Sequence, residues 1–161
     1  MSIYERKREF IEDEDALADD IEVEFDGIAA ALNSLVAGGV VSASEDLTLK
    51  NTTQDVPGAE VNLSPTVASK LLVVANFRVF CSGATIFEGF LRVGESDQSQ
   101  VAYLGETTTA ETMASQIYVV DLAAGTHTVK LRAKAPSVSG APKVRATHSR
   151  LLYLLIPDPE P

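Results

Sequence analysis

Apolar residues follow two rhythms along this chain, and the change falls near residue 40. Between Glu9 and Val36 there is no proline and a single glycine, Gly27. Apolar side chains stand there at Ile21, Phe25, Ile28, Leu32 and Leu35, spaced 4, 3, 4 and 3 residues apart. That alternation places them on one narrow stripe of an α-helix, with Phe25 and Leu32 at a and Ile21, Ile28 and Leu35 at d of a heptad. Ala29, Ala30 and Ala31 favour the helix, and the stripe fades upstream through Ala18, Glu14 and Ile11. A helix laid on its own domain would show a similar stripe. The narrowness of the seam, and its junction through Gly38-Gly39 to a region that reads as complete without it, favour a self-associating coiled coil.

Beyond Val41 the period drops to two. Short apolar stretches alternate with turn residues such as Val56-Pro57-Gly58, Ser64-Pro65, Ser82-Gly83, Ala123-Ala124-Gly125 and Ser139-Gly140-Ala141-Pro142. The segments between them predict strands at Leu47–Asn51, Ala59–Leu63, Lys70–Cys81, Ala84–Val93, Gln100–Leu104, Ser115–Leu122, Thr126–Ala135 and Lys143–Ile156. Strands at this spacing make a sandwich or jelly roll. The expected fold is mainly β: an N-terminal α-helix followed by a single β-sandwich. The expected divisions are an acidic helix for oligomerisation and attachment over 1–37, a Gly-Gly hinge over 38–44, the β-domain over 45–157 and a Pro-rich tail over 158–161.

The faces of these strands are unequal. His127, Val129, Leu131 and Ala133 alternate with Thr128, Lys130, Arg132 and Lys134, which describes a strand with one wet face. Lys70–Cys81, Ala84–Val93 and Leu151–Ile156 instead carry apolar residues on both faces. A two-layer sandwich buries one face of each sheet. The surplus faces therefore call for a cover, either the N-terminal helix or a neighbouring subunit. Ile86, Phe90, Leu151, Tyr153 and Leu155 are the expected interface residues of the head, and a homotrimer accounts for both them and the helix seam.

Charge separates the same two parts. The net charge is −10 over 161 residues. Residues 1–35 hold eleven acids against three bases, a net of −8, whereas the remainder holds twelve against ten. This balance excludes a general nucleic-acid binder, which needs a basic footprint, and attraction to an anionic membrane surface. The acidic run Glu12-Asp13-Glu14-Asp15 is a solvated face or a docking arm for a basic partner. A single cysteine, Cys81, excludes a disulfide framework. The longest late apolar run, Leu151–Ile156, is far short of a membrane span.

Candidate chemistry changes little. Glu22, Glu24, Asp26 and Gly27 sketch a calcium loop, but its twelfth position is Asn33 rather than a bidentate glutamate. Gly94-Glu95-Ser96-Asp97-Gln98 lacks the second glycine of a nucleophile elbow. His127 sits at the entry of a strand on its apolar face, and His148 has no sequence partner. The reading is of no enzyme, no catalytic residue, no metal and no cofactor.

Two segments carry a resemblance. Ile21–Leu35, through Glu24-Phe25-Asp26, Ile28, Ala31 and Asn33, resembles the short helix near the N-termini of tailed-bacteriophage fibre and related virion proteins. Leu122–Leu131 resembles the penultimate strand of TNF/C1q-like jelly-roll heads, with Leu151–Ile156 as the last strand. The resemblance implies a short head-fibre, capsid-decoration or small tail-associated fibre protein. It implies a trimeric jelly-roll head and attachment to capsid, portal or tail proteins through the N-terminal segment. A host-surface receptor or glycan would be the outward partner, and the virion, assembled in the host cytoplasm, the location. The absence of a repetitive shaft departs from long tail fibres. The alternative expectation is a carbohydrate-binding or adhesion module unconnected with a virion.

Overall fold

The computed structural model describes residues 37–107, 110–137 and 140–158. The helix expected over 1–37, and with it the seam Ile21, Phe25, Ile28, Leu32 and Leu35, lies outside the described residues except at Ala37.

Among the described residues, ten strands form two antiparallel sheets. They are β1 (Ala37–Ser42), β2 (Leu47–Thr48), β3 (Gln54–Leu63), β4 (Ser69–Cys81), β5 (Thr85–Val93), β6 (Ser96–Asp97), β7 (Ala102–Thr107), β8 (Ala110–Leu122), β9 (His127–Ser137) and β10 (Lys143–Pro157). One sheet runs β1-β10-β4-β8, with β2 also on β10; the other runs β3-β9-β5-β6, with β7 also on β5. The first is called sheet A below and the second sheet B.

The period-2 pattern builds the core directly. Leu71, Val73, Ala75, Phe77, Val79 and Cys81 of β4 are all buried. They meet Phe87 and Leu91 of β5 and Val129, Leu131, Ala133 and Ala135 of β9 in one cluster. Phe77 and Phe87 pack with ring centroids 5.3 Å apart at 59°, the tilted geometry that aromatic quadrupoles favour. Gly89 makes room for this contact: a Cβ there would stand 2.6 Å from the Phe77 ring.

Two expectations are corrected. Gly38 and Gly39 are not a hinge, because they belong to β1, which pairs with β10 without interruption from Ala37↔Leu155 to Ser42↔Arg150. Their lack of a side chain serves close approach. A Cβ on Gly39 would lie 2.9 Å from the Tyr153 hydroxyl oxygen, and one on Gly38 would lie 3.0 Å from the Tyr153 carbonyl oxygen. Val56-Pro57-Gly58 is not a turn between strands but an irregularity within β3, where the register shifts between Asp55 and Glu60. Proline is tolerated there because β3 is an edge strand. Gly58 adopts φ 75°, and Ser44 N–H donates to the Pro57 carbonyl at 2.9 Å.

Candidate assembly face

The outer face of sheet A is the unusual surface of the molecule, and its rows follow from register. Val40 of β1 lies opposite Leu152 of β10, which lies opposite Val74 of β4, which lies opposite Ile117 of β8. The next row holds Gly38, Leu154, Leu72 and Val119. The inward neighbours of these positions, such as Leu71, Val73, Leu151 and Tyr118, are buried, so the two rows point away from the core. Val40 is 56%, Ile117 59% and Val119 63% exposed, and Ile156 extends the patch at 41%. Leu72, Val74, Leu152 and Leu154 are half-buried.

Polar pairs border the patch at both ends. On one side Lys70 Nζ lies 2.9 Å from Asp121 and 3.5 Å from Asp158. The hydrogen bond and charge of Asp121 raise the Lys70 pKa above its ordinary value. On the other side Ser115 Oγ donates to Asn76 Oδ1 at 2.7 Å. Beyond it Arg78 pairs with Glu111, and Arg145 lies 2.7 Å from Asp46 and 4.8 Å above the Phe80 ring. Asp46 is held below the usual carboxylate range, first by the Ala146 backbone N–H and then by Arg145.

The outer face of sheet B is its opposite in character. Arg132 bridges Asp55 at 2.7 Å and Asp97 at 2.8 Å, and Lys130 meets Asp55 at 2.6 Å. Lys134 lies 2.9 Å from Glu88 and 5.3 Å above the Phe90 ring. Partial burial opposes ionisation of Asp55, but Lys130 and Arg132 prevail and its pKa is lowered.

The five residues expected at the head interface do not share a surface. Ile86 and Phe90 are half-buried in β5 of sheet B. Leu151 is wholly buried, Leu155 is buried, and Tyr153 packs against the core. The face of β10 that carries the apolar rows is the even one, Leu152, Leu154 and Ile156. The cause is a bulge. Between the pairs Arg145↔Arg78 and Arg150↔Asn76, β10 advances five residues while β4 advances two. An odd surplus exchanges the faces, so Val144 points inward before the bulge and Leu151 after it. His148 adopts φ 69° within it. Ser149 is buried there; its Oγ accepts the Arg78 N–H at 2.9 Å and its carbonyl accepts the Ala43 N–H at 2.9 Å. The sequence signal that reaches the correct face is the apolar set at Leu72 and Val74, on the second side of a strand whose first side is entirely apolar.

Candidate chemistry stays dispersed. Among the described residues no group of three or more His, Cys, Asp or Glu side chains could hold a metal ion. His127 Nε2 lies 2.8 Å from the Ala123 carbonyl oxygen, and His148 is in the other sheet. Cys81 is buried, and desolvation raises its thiol pKa.

No family model and no curated protein sequence matches the chain. Solved structures do. A structure of the Gx strain of infectious bursal disease virus superposes with a TM-score of 0.52 at 11% identity, over 75% of this chain and 32% of that one. The T13 particle of the same virus gives 0.51 at 12% identity, over 75% and 31%. The Eiger TNF of S. frugiperda gives 0.47 at 12% identity, over 79% and 98%. The described domain is a jelly-roll β-sandwich. This chain spans about a third of the length of the bursal-disease-virus chains it matches, and the likeness concerns the fold.

Proposed function

We propose that this chain is a non-enzymatic structural protein of a bacteriophage virion, of the head-fibre, capsid-decoration or small tail-associated fibre kind. Its jelly-roll head assembles as a homotrimer, and its acidic N-terminal segment attaches to capsid, portal or tail proteins. The observation that carries this reading is the outer face of sheet A. Two apolar rows crossing four strands are a poor surface for a solitary protein and a good one for assembly. The charge distribution supports the division of labour, since the acidic excess lies in residues 1–35 and leaves the head nearly neutral.

Light scattering of the purified full chain tests the assembly. The expected mass is three times the 17.2 kDa of one chain, and a 17.2 kDa species at micromolar concentration overturns it. Particle incorporation tests the attachment. Removing residues 1–36 abolishes incorporation on this reading, and normal incorporation of the truncated chain refutes it.

A further inference from the structure

The outer face of sheet A does not suffice for assembly by itself. Strand spacing of about 4.8 Å and a rise of about 3.4 Å per residue give its two apolar rows an area of roughly 300 Å². A stable interface buries about 800 Å² on each partner. The remaining contact can come from a sheet edge, because an uncovered edge strand holds a row of unused backbone donors and acceptors. Sheet B blunts both of its edges. Strand β3 carries Pro57 and a register shift, and beyond β5 stand only the short β6 and β7, the second paired with a shift of its own. Strand β8 is different. Its 13 residues pair with β4 without a bulge, from Ser69↔Leu122 to Cys81↔Ala110. Thr112–Val120 contains no proline, glycine or charge. Among the described residues no strand lies on its far side.

Strand direction matches this edge to the other edge of the same sheet. β1 pairs antiparallel with β10, β10 with β4 and β4 with β8, so β8 runs opposite to β1. Rotation about an axis parallel to the strands preserves direction, and it sets the β8 of one copy antiparallel to the β1 of the next. β1 is uncharged from Ala37 to Ser42, so no like charges meet across the junction. Two β8 strands fully overlapped about a two-fold axis would instead set Glu111 against Asp121 at each end. The dimensions suit three copies. Four strands at about 4.8 Å make a wall about 19 Å wide, and a three-sided prism of such walls has its centre about 5.5 Å from each. Sheets packed face to face stand about 10 Å apart, or about 5 Å from their midplane. The apolar rows would then meet at the axis, with the ion-pair ladder of sheet B facing outward.

Resting on the trimeric reading above, we propose that β8 of each copy adds to β1 of the next, so that three sheets A join into one closed antiparallel barrel. The occupant of the β8 edge is a second copy of this chain. Continuing the row of Val40, Leu152, Val74 and Ile117 across the junction places Ile117 beside Val40 of the neighbouring copy. Closure leaves sheet A without an edge.

The test uses the full chain. Sedimentation first establishes the natural oligomer, and a monomer refutes the trimeric reading and this proposal together. Within a confirmed trimer, Val40→Cys is combined in turn with Ser115→Cys, Ile117→Cys and Val119→Cys, three exposed positions of β8. The one native cysteine, Cys81, is buried and leaves the readout clear. Oxidation is expected to give a covalent ring of three with one of these pairs, since residues opposite each other in antiparallel strands hold their Cα atoms about 4.5–5.5 Å apart, within disulfide reach. Each single-cysteine variant is expected to stay without a cross-link. A trimer that no pair locks covalently overturns the edge pairing and leaves the trimer standing. Disulfide-linked dimers of any single variant reveal a strand paired with its own copy and overturn it too. Hydrogen exchange on the natural chain adds a readout without substitutions. Alternate amides of residues 112–120 are expected to exchange at least about tenfold more slowly in the trimer than in protein diluted to monomer, and equal rates overturn the pairing.

Discussion

Residues on the two faces of sheet A have opposite duties, and single substitutions separate them. Leu151 has no exposed surface, so Leu151→Ala is expected to cost about 2–5 kcal/mol in denaturant unfolding through lost transfer energy and a cavity. Ile117→Lys, on an exposed site, is expected to stay within about 0.5 kcal/mol when unfolding is measured at matched oligomeric state. Gly89→Ala is expected to destabilise by about 1–3 kcal/mol, because the ring its Cβ would strike belongs to buried Phe77. Tyr118 is the residue whose ionisation reports on the core. Burial drives its pKa up to about 12 against the 10.0 of an ordinary tyrosine, although backbone hydrogen bonds with Leu91 and Ala102 oppose the shift. The unfolded chain releases this proton first. The stabilising contribution is therefore intact below pH 10 and fades as pH rises toward 12. Ultraviolet titration of the natural chain against Tyr118→Phe is expected to show one tyrosine absorbing late, and loss of that late step in the variant.

At the scale of elements, the bulge of β10 and the register of β1 decide what the outer face is. Asp46 pins the bulge: its Oδ1 accepts the Ala146 N–H at 2.8 Å while Oδ2 meets Arg145. Because its pKa is lowered from 3.8, the ionised form supports the fold above that value, and the support is lost as pH falls through the lowered pKa. Asp55 contributes in the same direction from sheet B. The double variant Asp46→Asn, Asp55→Asn is expected to be less stable at neutral pH and to lose less further stability on acidification. Equal acid sensitivity of variant and natural chain would contradict this. Much of this scale was legible beforehand: β4, β5, β9 and β10 fall within about two residues of where alternation put them. Strand β1 was not, because Ala-Gly-Gly offers no alternation, and its pairing depends on the distant Leu151–Leu155. Nor was the bulge, since Thr147-His148-Ser149 reads as continuous polar strand and only the partner's register shows the surplus residues.

For the whole molecule, the two outer faces divide the work. Sheet B presents a ladder of ion pairs, each partly exposed and so worth little individually, and this keeps the surface wet. Sheet A presents apolar rows between polar borders. Assembly through sheet A should respond weakly to salt, because apolar burial is not screened. Attachment through the acidic segment of residues 1–35 should weaken as salt rises. Measuring trimer dissociation and particle binding at low and high ionic strength is expected to split the two, and equal salt dependence would argue against separate surfaces.

Composition and periodicity alone determined the acidic N-terminal segment, the β-rich remainder and the existence of more apolar strand faces than one sandwich can bury. Those properties are local: charge is counted along the chain, and alternation is written into each strand. Which face is left uncovered was a tertiary decision. It depends on five residues of β10 standing against two of β4, and on a glycine pair lying flat beneath Tyr153. Both are relations between segments distant in sequence, Arg150 with Asn76 in one case and Gly39 with Tyr153 in the other, and a strand's own sequence reads the same whichever way its neighbour sets the register.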